Sequence, residues 1–226
     1  MTTAAIIHLP LARLIRVPRA WFPIAGWAVL GLVAAFVERA GGSSHAADHV
    51  LIGSYAQVVL PLLVLAIVSG ALGSEGLGAS VRSLSRFGAS ERRVALVLMG
   101  TSMVVSAAIS ALLAVVLVLI TGSAGGVAVD AITSAWVCGL GGAAYAAWFS
   151  LGASFGKHGG GRAAFFIIDW VLGSGTGVGA VLTPRGNLRN LLGGAAPGEL
   201  SQQASTLALL VLVVLFTLIA ARRVRR

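Results

Sequence analysis

The placement of charge constrains this chain more than any other feature. Its 16 Lys and Arg residues are gathered in short runs that separate six long apolar stretches, at about residues 20–37, 50–72, 94–120, 131–155, 163–182 and 204–221. Each stretch approaches the length an α-helix needs to cross a hydrocarbon core of ~30 Å. Assigning the runs alternately to the two faces of a membrane collects Arg13, Arg16, Arg19, Arg82, Arg86, Arg92, Arg93, Lys157, Arg162, Arg222, Arg223, Arg225 and Arg226 on one face. Only Arg39, Arg185 and Arg189 fall on the other. The acidic residues lean the opposite way, with Glu38, Asp48, Asp130 and Glu199 on the poorly basic face and Glu75 and Glu91 on the basic one. Because Lys and Arg accumulate on the cytoplasmic side of membrane proteins, this asymmetry predicts six spans with both termini cytoplasmic.

Composition removes most other classes. With 58% hydrophobic and 10% charged residues and a mean hydropathy of +0.96, the chain has too little polar surface to coat a soluble globule of 226 residues. The net charge of +9 is distributed over span ends and is not spread along one soluble face with interleaved aromatics, which argues against nucleic acid and for anionic lipid head groups as its counterpart. The single cysteine, Cys138, lies in an apolar stretch, so neither a disulfide framework nor a cysteine metal site is expected. The apolar run from Trp21 leads into Glu38 and Arg39 with no small-residue cleavage pattern and is expected to remain as the first span.

Ahead of that run, residues 1–19 alternate apolar residues with Arg13, Arg16 and Arg19, the pattern of a segment lying in the membrane interface, with Pro10 and Pro18 expected to break it into short pieces. After the second stretch, Gly70, Gly73, Gly76 and Gly78 interrupt the helix. A short amphipathic run follows, with Val81, Leu84 and Phe87 at spacing three and Arg82 and Arg86 between them. Gly88 ends it, Ser90 can cap the next helix, and Glu91 suits the positive end of that helix ahead of Arg92 and Arg93.

The succession of Glu75, Gly76, a basic amphipathic run, and then Arg86, Gly88, Ser90 and Arg93 in the spacing R-x-G-x-[ST]-x-x-R resembles the membrane subunits of ATP-binding-cassette exporters of the type-2 permease class. In layout the resemblance covers nearly the whole chain. In motif it covers about twenty residues, and lipopolysaccharide-export and mechanotransmission permeases carry similar glycine-plus-basic turns. The resemblance implies an all-α polytopic fold: an interfacial helix over 1–19, six spans over 20–221, a basic tail over 222–226 and a re-entrant or amphipathic segment after span five. It also implies that Glu75, Arg82, Arg86, Phe87, Gly88, Ser90 and Arg93 contact separate cytoplasmic ATPase subunits, which bind ATP and Mg. The permease would pair with a second copy of itself or a paralogous permease. The sequence contains no G-x-x-x-x-G-K-[ST] loop, so no nucleotide site is expected in this chain.

Asp169 is the only acidic residue inside an apolar stretch and must face another helix or a watery cavity. By resemblance it is a translocation-pathway candidate, with Gln57 and Tyr55 as weaker ones; the alternative is a structural acceptor for a neighbouring helix or an interfacial arginine. Pro61 is expected to kink the second span. The run GSGTGVG (173–179) lacks the strand context of a dinucleotide loop and the sequence of a potassium filter, and reads as close helix packing or a broken helix. Beyond it, Leu188, Leu191 and Leu192 beside Arg185 and Arg189 suggest a short amphipathic helix lying at, or dipping into, the outer leaflet. His45, Asp48 and His49 share a polar turn without metal-site spacing, and no serine or cysteine has a nucleophile context, so neither a metal, a cofactor nor a catalytic residue is expected. Two readings compete with a permease: a non-transporting membrane scaffold, and an ion-coupled carrier, which would call for more buried ionisable groups and an internal repeat.

Overall fold

The computed structural model describes residues 3–16, 18–43, 45–73, 75–86, 88–122, 126–156 and 159–224, which are helical throughout with no strand among them. The helices are α1 (Thr3–Arg16), α2 (Pro18–Ala40), α3 (Ala46–Asp48), α4 (Leu60–Leu72), α5 (Leu77–Ser85), α6 (Glu91–Thr121), α7 (Val127–Gly152), α8 (Gly161–Gly173), α9 (Val178–Val181), α10 (Pro184–Leu191) and α11 (Gln202–Arg223). A π-helical segment, His49–Val59, joins α3 to α4. Among the described residues, five helical runs are long and apolar enough to cross a membrane: Ala20–Ala40, Ala46–Ser85, Glu91–Thr121, Val127–Gly152 and Gln202–Arg223. The chain therefore has the build of a multi-pass helical membrane protein.

The apolar stretch 163–182 is not one helix. α8 has 13 residues, about 20 Å at 1.5 Å per residue, and stops at Gly173. The freed carbonyls of Ser174 and Gly175 accept hydrogen bonds from Arg189 Nη1 (2.8 Å) and Nη2 (2.6 Å), while Arg189 Nε reaches the Ala195 carbonyl. α10 then starts with Thr183 as its cap, accepting from the Gly186 amide, and with Pro184 in its first turn. It does not lie on an outer surface, because Arg185, Asn187, Leu188 and Asn190 are all buried against α7, α8, α11 and the π-helical segment. Of the two charges that suggested a surface helix, Arg185 is consumed inside the protein, while the partly exposed Arg189 holds the end of α8.

Two ends of the bundle can be told apart from side-chain contacts. At one, Arg162 Nη2 donates to the Gly73 carbonyl, the Leu77 amide donates to the Ala153 carbonyl, and the Arg223 guanidinium lies 3.7 Å from the Phe155 ring. At the other, Arg39 Nη1 ties α2 to the Ile120 carbonyl of α6, and Asp48, Asp130, Leu192 and Gln202 border one shallow cavity. α8 to α10 thus cover together the same depth that α7 and α11 each cover alone, and the described members of the large arginine set gather at the first end. Between the ends, α6 and α7 pack most extensively, at a seam where Gly142 lies so close to Ser106 and Ser110 that a Cβ would sit 2.7 Å from the Ser106 carbonyl.

One expectation about proline changes: Pro10 does not break the first segment. α1 runs unbroken through Pro10, and α2 through Pro23, at the cost of one backbone hydrogen bond each. Pro61 sits at the start of α4, where the π-helical segment returns to α-helical register. In that register an N–H at 61 would reach the Gln57 carbonyl; proline has none, and the carbonyl accepts instead from Arg185 Nη2 at 2.6 Å.

Candidate functional site

The sequence points to a surface region around α5 and to an intramembrane acid. The structure places them at different depths and gives them different characters.

α5 is a nine-residue helix held at the arginine-rich end. Gly73 (φ +76) and Gly76 (φ +86) turn the chain out of α4, a backbone conformation that favours glycine. A Cβ on Gly76 would lie 2.9 Å from the Ala153 carbonyl and 3.1 Å from the Gly159 amide, so the turn is pressed against the loop after α7. The first free amide of α5, on Leu77, is satisfied by Ala153 (3.1 Å), and the Ser80 hydroxyl donates to the Leu72 carbonyl. Leu77, Val81 and Leu84 form a buried face that packs on α6, while Arg82 and Ser83 are exposed. The outward face of α5 thereby carries positive charge on a rigid mount.

Of the residues expected there, Glu75 is exposed in the turn before α5, and Arg82, Arg86, Gly88, Ser90 and Arg93 are exposed along α5 and into α6. Phe87 lies outside the described residues. Gly88 adopts φ +86, as its position after a helix suggests. Ser90 occupies the cap position of α6, but its side chain makes no capping hydrogen bond. One residue that sequence reasoning counted only as an orientation charge is part of the mount: Arg162 is buried, donating to the Gly159 carbonyl (3.2 Å) as well as to Gly73. The three glycines 159–161 ahead of Arg162 gave no signal of that role beyond the close backbone approach glycines permit.

Asp169 is fully buried in α8 and completely partnered. Its Oδ2 accepts from the Tyr145 hydroxyl (3.0 Å) and Arg185 Nε (3.2 Å), and its Oδ1 accepts from the Arg185 amide (3.2 Å). The Arg185 guanidinium also reaches the Gln57 carbonyl and lies 4.4 Å from the Trp170 ring centroid. The approach of α10 that makes this possible depends on Gly173, where a Cβ would sit 2.6 Å from that of Arg185. The cluster binds α7, α8, α10 and the π-helical segment into one unit. Asp169 accordingly pairs with an arginine, as in the structural alternative weighed above. Tyr55 is likewise buried, donating to the Ser110 carbonyl of α6 (2.7 Å), and Gln57 enters the cluster through its backbone. Among the described residues no group of three or more His, Cys, Asp or Glu could hold a metal ion. No family model, curated protein or solved structure matches this chain.

Proposed function

We propose that this protein is the membrane subunit of a type-2 ATP-binding-cassette exporter, driven by separate ATPase subunits that bind ATP and Mg. The observation that carries the reading is α5: a short helix clamped by Leu77, Gly76 and the buried Arg162 to the end of α7, with Arg82 and Ser83 facing outward. A helix mounted in this way transmits a push from a soluble partner to α4, α6 and α7 without bending. The reading places the arginine-rich end and both termini in the cytoplasm of a bacterial-type inner membrane, and counts α8 to α10 as a broken fifth pass of six. It further includes pairing with a second copy or a paralogous permease. A non-transporting scaffold is favoured by one observation, the sealing of Asp169, since that carboxylate is not available to a substrate.

The two readings separate in one experiment on the complex purified with its ATPase. Charge reversal by Arg82→Glu with Arg86→Glu is expected to weaken ATPase association by about tenfold or more, chiefly by slowing encounter, because like charges then face each other where opposite ones did. Substrate-stimulated MgATP hydrolysis falls with it. Unchanged hydrolysis and association in the double variant would return α5 to the status of an ordinary basic loop.

A further inference from the structure

We propose that the cleft between α2 and the π-helical segment binds a lipophilic cation, with the apolar body against Leu30, Val33 and Val58 and the positive charge at the Glu38 carboxylate. The inference concerns binding alone and does not depend on an ATPase partner.

The cleft has a volume of about 510 Å³, within the range of small-molecule sites, and its walls are mainly apolar. It opens sideways, towards where lipid would be, past Val33 and Val37, which are 50% and 64% exposed. Along α2 it runs from Leu30 to Glu38, about 12 Å at 1.5 Å per residue. Two features of the opposite wall are not required by packing. The π-helical register, sustained over 11 residues, is rare outside single turns, and such wide turns concentrate at functional sites. Gly53 lines the cleft with no atom within 4 Å of where its Cβ would be, so the space exists because the side chain is absent.

Charge selects the occupant. At the mouth, Glu38 is 40% exposed and its carboxylate lies 3.7 Å from His49 Nδ1. Asp48, one residue earlier, borders the neighbouring cavity instead, so Glu38 is the acidic group that lines this cleft. The nearest permanent cation, Arg39, turns its guanidinium to the Ile120 carbonyl on α6. A phospholipid filling the cleft would bring its phosphate to this acidic rim, a like-charge approach, whereas a cation with an apolar body meets opposite charge at the mouth and hydrocarbon within.

The test uses the purified full chain in neutral detergent and two probes of the same shape and opposite charge, tetraphenylphosphonium and tetraphenylborate, measured by equilibrium dialysis. The cation is expected to bind saturably at one per chain, and at least about fivefold more tightly than the anion, the order expected of one partly exposed charge pair. Glu38→Gln should remove that preference while leaving residual binding of both probes. Gly53→Leu and, from the other wall, Val33→Phe should each abolish saturable binding; Val33 is half-exposed, so its replacement tests the cleft even where the glycine variant fails to fold. Glu199→Gln, elsewhere at the same end of the bundle, should change nothing. Equal affinity for the two probes, cation binding unaltered in Glu38→Gln or Val33→Phe, or displacement of the cation by an equimolar ethanolamine phospholipid would each overturn the assignment.

Discussion

Arg185→Met is expected to destabilise the protein by about 3–5 kcal/mol, the usual cost of removing one partner of a buried ion pair. The loss arises because Asp169 keeps only the Tyr145 hydroxyl and one backbone amide, while the Gln57 carbonyl freed by Pro61 loses its donor. Asp169→Asn should be nearly as damaging, since it preserves shape but leaves the Arg185 cation buried without a counter-charge. The double change Asp169→Leu with Arg185→Met removes both charges and should recover most of the loss, short of about 1–3 kcal/mol for the orphaned carbonyl. Thermal denaturation of the purified protein in detergent orders the three variants against the wild type. An Asn variant with unchanged stability and impaired transport would make Asp169 a pathway residue after all.

Gly76→Ala should cost about 1–3 kcal/mol and loosen α5 from the bundle, for two reasons that add. Its backbone lies at φ +86, and the new methyl would sit 2.9 Å from the Ala153 carbonyl and 3.1 Å from the Gly159 amide. Gly88→Ala is the internal control, because Gly88 also has φ +86 but nothing within 4 Å of its Cβ position; it bears the backbone cost alone, about 1 kcal/mol. Proteolysis in the 73–90 region together with the thermal midpoint distinguishes them: the Gly76 variant should be cut faster and melt lower. Equal behaviour of the two would mean that the contact with Ala153 does not hold α5 in place.

How far these features could be read from sequence follows from the range of the forces behind them. The long apolar helices were legible because bilayer burial imposes length and hydropathy on each segment independently, and the amphipathic face of α5 because Val81 and Leu84 repeat at helical spacing, to which the structure adds Leu77. The breaks at Gly73, Gly76 and Gly88 were legible for the same local reason, whereas Gly70 and Gly78, also expected to interrupt the helix, lie within α4 and α5. The fate of 163–182 was legible only in part, since the glycine run 173–179 allowed a broken helix without fixing where its pieces go. Its hydropathy matches a continuous span, and only the approach of α10, with Arg189 capping Ser174 and Gly175, keeps it broken. Arg185 misled because an arginine after an apolar stretch ordinarily marks a membrane surface; its buried role needs Asp169, Tyr145 and Gln57 from three other parts of the chain. The π-helical register of His49–Val59 has no composition of its own, and so the cleft it forms with α2 carried no sequence signal beyond an unremarked Gly53.

The central claim, that α5 meets a soluble ATPase, is tested most directly by cross-linking from Ser83. This residue is exposed on the outward face of α5, and the single native cysteine, Cys138, is buried and leaves little background. Ser83→Cys, carrying a photoactivatable thiol reagent in membranes of the native host, should capture a polypeptide that contains a G-x-x-x-x-G-K-[ST] loop, and capture should fall when Arg82 and Arg86 are reversed to glutamate. The same cysteine should resist an impermeant thiol reagent in intact cells, whereas Ala195→Cys at the opposite end should react. Labelling of Ser83→Cys from outside the cell, or capture of no nucleotide-binding chain in membranes where the protein is folded, would contradict the account.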